Sequence, residues 1–94
     1  MWTIYEHRKL PKQLSKLPAE ILARYEIWKN IIQISGPEGL KTIKGFNDEA
    51  LQGEWKGFRS SRLNIQYRVI YQINGKELYV NVVEVTPHDY KRKS

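Results

Sequence analysis

An α+β fold is predicted by three observations. Apolar residues in the first half recur at helical spacing, those in the second half alternate as in strands, and Asn74-Gly75 stands between the last two strand-like runs. The predicted order is β-α-α-β-β-β, an antiparallel sheet with two N-terminal helices packed on one face. The chain of 94 residues is read as a single domain, 1–94, with one small core.

The elements follow in order. Trp2-Thr3-Ile4-Tyr5 is short, aromatic and β-branched, which suits a strand. Leu10, Leu14 and Leu17 stand at i, i+4, i+7, with Pro11 confined to a first turn. Pro18 interrupts them and suits the start of a second helix. That helix carries Ile21, Tyr25, Trp28 and Ile32 as one apolar stripe, with Arg24, Glu26 and Lys29 between, and Gly36-Pro37 ends it. A strand is expected around residues 55–61, another over 67–73 and a return strand over 78–85. A two-residue type I′ turn at Asn74-Gly75 sets Tyr71 opposite Leu78 and Val69 opposite Val80 on an apolar face. Arg68 then lies on the wetter face, beside Asn81.

Composition narrows the function. Lys and Arg number 16 against 10 Asp and Glu, a net charge of +6, which favours a polyanion or an acidic protein as partner. With 40% apolar and 12% aromatic residues the chain can build a core, which argues against disorder. The absence of cysteine excludes disulfides and thiolate zinc sites, and His7 and His88 are too far apart in sequence to suggest a metal site. No apolar run reaches the roughly 18 residues of a membrane span, and no signal-peptide core follows Met1, so a soluble protein of a reducing compartment is expected.

Three segments carry possible chemistry. Between Glu54 and Glu77 there is no carboxylate, while Lys56, Arg59, Arg62, Arg68 and Lys76 alternate with Trp55, Phe58, Tyr67 and Tyr71. Such a pattern suits phosphate contacts and base stacking, and equally a solvated basic surface. Lys91-Arg92-Lys93 adds charge near the end. In Thr86-Pro87-His88-Asp89-Tyr90, a histidine just past a strand can act as general acid or base, or simply occupy a turn. Glu49, in Asn47-Asp48-Glu49, is a loop carboxylate, and Asp48 reads as a turn or cap residue.

The run from Leu51 to Tyr71, with Leu51-Gln52-Gly53, then Ser60-Ser61-Arg62-Leu63 and Tyr67-Arg68-Val69-Ile70-Tyr71, resembles the centre of the RelE/ParE toxin superfamily. The Lys-Leu-Pro-Lys-Gln-Leu helix start and the terminal His/Tyr pair resemble its RNA-cleaving YoeB-, HigB- and RelE-like branches. The resemblance implies a cytoplasmic toxin of a type II toxin–antitoxin pair: a ribosome-dependent mRNA endoribonuclease. It implies no metal and no cofactor, the RNA 2′-OH attacking the adjacent phosphate. Its implied partners are a cognate antitoxin, mRNA and the 16S rRNA of the ribosomal A site, with operator DNA reached only through the antitoxin complex and no membrane.

Residue by residue, the resemblance makes Arg68 the phosphate-stabilising arginine and His88 the general acid. It makes Tyr90 a base-stacking or proton-handling residue and Glu49 the general base. Ser61 stands where some members carry a second lysine, which leaves the base open between Glu49 and a lysine. Arg59 and Arg62, with Lys56, Lys91 and Arg92, are the expected RNA-binding set. The same skeleton serves ParE-like gyrase inhibitors without nuclease activity and detoxified, antitoxin-binding members, and both stay open as alternatives.

Overall fold

The computed structural model describes residues 1–87; the expected residues His88, Tyr90, Lys91 and Arg92 lie outside the described residues. The strands are β1 (Thr3–Glu6), β2 (Glu49–Ala50), β3 (Arg59–Arg62), β4 (Arg68–Asn74) and β5 (Tyr79–Thr86). Two helices, α1 (Leu10–Leu14) and α2 (Ala19–Ser35), separate β1 from the rest. The sheet order is β1-β5-β4-β3-β2. Neighbours from β2 to β5 are antiparallel, as expected, whereas β1 lies parallel to β5 and makes the sheet mixed. The meander leaves the far edge of β5 open, and β1 occupies it through backbone bonds such as Thr3 N to Leu78 O at 3.1 Å and His7 N to Val82 O at 2.8 Å.

The stripe on α2 forms the helical half of the core. Ile21, Tyr25, Trp28 and Ile32 are all buried, as their 3.6-residue spacing requires. Pro18 precedes the first turn and accepts hydrogen bonds at its carbonyl from the N–H groups of Ile21 and Leu22. The helix stops at Gly36, whose φ of +75° is the left-handed region favoured by glycine. A Cβ there would stand 2.6 Å from Nε1 of Trp2. Gly36→Ala should therefore cost on the order of 2 kcal/mol or more, from backbone strain and overpacking, read as a lower urea midpoint.

Opposite α2, the sheet contributes Val69, Tyr71, Val80, Val82 and Val85, with Leu63 at the end of β3 and Leu40 and Phe46 from intervening turns. Trp28 stacks on Tyr25 at 5.8 Å between centroids and meets Tyr71 edge-on at 5.1 Å. Tyr67 is partly buried and packs at the margin of this core.

The last hairpin differs from the expected two-residue turn. Asn74 pairs with Tyr79, so the loop is residues 75–78. Asn74 Oδ1 accepts the N–H of Glu77 at 2.9 Å, and Leu78 takes a φ of +56°. The asparagine thus caps a longer turn instead of sitting inside a short one. Tyr71 now pairs with Val82 and Ile73 with Val80, a slip of an even number of residues that leaves each side chain on its expected face. A bulge between Ile70 and Tyr71 moves the register again, so Ile70 pairs with Glu84, Val69 with Val85 and Arg68 with Thr86. The expected neighbours, Arg68 and Asn81, are four residues apart along the sheet: Asn81 pairs with Gln72. The strand expected around residues 55–61 is shorter, because Gly53–Trp55 forms a 3₁₀ turn and β3 begins at Arg59.

Candidate RNA-binding face of the sheet

Residues opposite one another across strands share a face. The face away from α2 carries two adjacent rows. One row is Thr86, Arg68 and Arg62; the next is Glu84, Ile70, Ser60 and Glu49. Thr86, Ile70 and Ser60 are buried, and the charged residues around them are partly exposed. Arg62 and Arg68 are direct register partners. The turn between them fixes this: Asn64 Oδ1 accepts the N–H groups of Gln66 at 2.8 Å and Tyr67 at 2.7 Å, and Leu63 N donates to Tyr67 O at 2.8 Å. Like charges set opposite each other in a sheet cost stability, and a bound anion removes that cost. Arg62 has no ion pair among the described residues. Arg68 is partly exposed and donates from Nη1 to the carbonyl of Gln66 at 3.3 Å.

The end of β5 is anchored beside these arginines. Gln13 of α1 accepts the N–H of Val85 at 3.0 Å, and Lys9 pairs with Glu84 at 3.4 Å. In sequence, His88 is two residues past Thr86, the register partner of Arg68.

Glu49 lies on this face, two strands from Arg68 and one row over, on the order of 12 Å away by ordinary sheet spacing. Glu84 is nearer, diagonal to Arg68. Sequence reasoning missed it because the expected register carried it past the arginine; the alternation Val83-Glu84-Val85-Thr86 was the available signal.

Arg59 departs from the group. It lies on the helix-facing side of β3, paired with Tyr71, and its guanidinium grips Asp48 through Nε at 3.0 Å and Nη2 at 2.7 Å. The Asp48 side chain is 1% exposed and also accepts from Ser61 Oγ at 2.6 Å and from the Tyr71 hydroxyl. Asp48 is thus the buried hub of a polar network and not a surface turn residue. No sequence signal marked it, because the contact needs β2, β3 and β4 side by side. Lys56 is exposed in the loop before β3, at the other end of that strand from Arg62, beside the edge-on pair Trp55–Phe58 at 5.1 Å.

Burial and hydrogen bonding shift three groups. Burial lowers the Arg59 pKa, but the hydrogen bond and charge of Asp48 outweigh it and the net shift is upward. Burial raises Tyr71, and the Asp48 charge raises it further; burial and the bond to Glu6, at 2.6 Å, raise Tyr25. Both native tyrosines stay protonated when those of the unfolded chain ionise near pH 10. Their contribution to stability is whole below that pH and is lost as the pH rises further, by about 1.4 kcal/mol per pH unit for each. The urea midpoint should fall between about pH 9 and 11, and Tyr25→Phe should remove one of the two contributions.

A mixed five-stranded sheet backed by α2 is the architecture of the RelE-like fold, a class of small α+β proteins. No protein-family model and no curated protein sequence matches the chain. Solved structures do match. The RelE–RelB complex from Pyrococcus horikoshii OT3 contains a chain 24% identical, with a TM-score of 0.72, covering 99% of this chain and 98% of that one. YafQ from E. coli strain BL21(DE3) is 13% identical, with a TM-score of 0.74 and 94% of each chain covered. A YoeB/ParE toxin from Agrobacterium tumefaciens is 13% identical, with a TM-score of 0.73, covering 93% of this chain and 99% of that one. At these identities the likeness is one of fold.

Proposed function

We propose that this protein is the toxin of a type II toxin–antitoxin pair and cleaves mRNA on the ribosome without a metal ion. The observation that carries the reading is the register pair Arg62–Arg68, both partly exposed, on the face away from α2. The fold shared with the YoeB/ParE toxin, and with a RelE structure solved together with RelB, supports both the toxin role and an antitoxin partner.

In this mechanism the RNA 2′-OH attacks the neighbouring phosphate, and the 5′-oxygen leaves. Charge grows on the phosphoryl oxygens, where the Arg68 guanidinium, helped by Arg62, stabilises it more in the transition state than in the ground state. Glu49, Glu84 or a lysine takes the 2′-OH proton, and His88 returns a proton to the leaving oxygen. Tyr90 stacks on a base, while Lys56, Lys91 and Arg92 hold flanking phosphates. Arg59 acts chiefly as the partner of Asp48 and only secondarily as a phosphate contact.

The test is direct. Purified protein added to translating ribosomes should leave mRNA fragments ending in a 2′,3′-cyclic phosphate, with chelator present. Intact mRNA together with blocked supercoiling by pure gyrase would replace this reading by the ParE-like one.

A further inference from the structure

The face away from α2 continues beyond the arginines, past Ile70, which is buried, to half-buried Gln72. Along β4, Arg68, Ile70, Gln72 and Asn74 point to the same side. Gln72 pairs with Asn81 and Asn74 with Tyr79, and these four residues, with Ile73, line a groove of about 240 Å³ at the hairpin end. On β1, Tyr5 is the register neighbour of Asn81 and meets Tyr79 edge-on at 5.1 Å. The Gln72 and Asn81 amides make no side-chain hydrogen bond with another described residue, although both are half-buried. Two adjacent amides offer donors and acceptors together, the complement of a base edge, and a tyrosine offers a stacking surface. The exposed turn beyond carries Lys76 and Glu77 side by side. Gln72 stands four residue steps along the strand from Arg68, roughly 13 Å, about the span of two nucleotides of extended single strand.

We propose that the Gln72–Asn81 amide pair, flanked by Tyr5 and Tyr79, reads one base of the RNA strand whose phosphate lies at Arg68, about two nucleotides from that phosphate. This rests on the RNA-binding part of the proposed function, not on cleavage. The probe is a set of short single-stranded RNAs, 2′-O-methylated to block attack, with each position varied through four bases. Binding to the full chain is read by fluorescence anisotropy.

The parent should prefer one base about tenfold at a single position. Gln72→Ala with Asn81→Ala should flatten that preference to within twofold and keep the salt dependence. Gln72→Glu should move the preference toward cytosine, whose amino group donates to a carboxylate. Arg68→Ala should instead weaken all sequences alike and reduce the salt dependence. A parent without base preference, or a double alanine variant that keeps it, overturns the proposal. Base-selective binding without ribosomal cleavage upholds it and removes the nuclease reading alone.

Discussion

Replacing Arg68 by alanine is expected to lower mRNA cleavage on translating ribosomes by about 10²–10³-fold, the loss seen when one preorganised donor to a developing oxyanion is removed. The fold should survive. The side chain is partly exposed on the face away from α2 and outside the core cluster. Urea midpoints of parent and variant should agree closely. Arg68→Lys should recover only part of the rate, because an ammonium keeps the charge but not the planar fork that grips two oxygens. Arg62→Ala should cost less, since it assists from the neighbouring strand. Parental cleavage by the Arg68→Ala variant would mean that the phosphate is held elsewhere.

Asp48→Ala should be the most damaging single change to stability, about 3–5 kcal/mol, because it leaves a partly buried guanidinium, a buried hydroxyl and a buried phenol without their acceptor. Against a total of about 5–15 kcal/mol for a domain of this kind, that is a large share. The damage is not local: Tyr71 also meets Trp28, the largest buried side chain. A second change, Arg59→Met, should restore part of the loss by removing the unpaired charge. Urea titration of the single and double variants gives the coupling between the two groups. An Asp48→Ala protein within 1 kcal/mol of the parent would show that the network contributes little.

Much of the architecture was legible because it rests on local periodicity. Ile21, Tyr25, Trp28 and Ile32 announced α2 and its buried side, and Gly36 announced its end. The position of Arg68 on the face away from α2 was also legible, since the hairpin slip is even and strand faces repeat every second residue. What surrounds Arg68 was not. The longer hairpin loop shifts the register by four residues, and a bulge, one extra residue with no compositional mark, by one more; together they exchange Asn81 for Thr86 and bring Glu84 alongside. The two-residue strand β2 is too short to show a period, and without it neither Asp48 as a hub nor its hold on Arg59 can be inferred. The parallel placement of β1 is a choice of edge, made by the assembled sheet and not by Trp2-Thr3-Ile4-Tyr5.

That placement has a bearing on synthesis. The earliest strand to leave a ribosome must wait for the latest before it has anything to pair with, since Thr3–Glu6 joins the sheet only through Tyr79–Thr86. A nascent chain interrupted before residue 79 therefore lacks both the β4–β5 seam and the residue row beside Arg68.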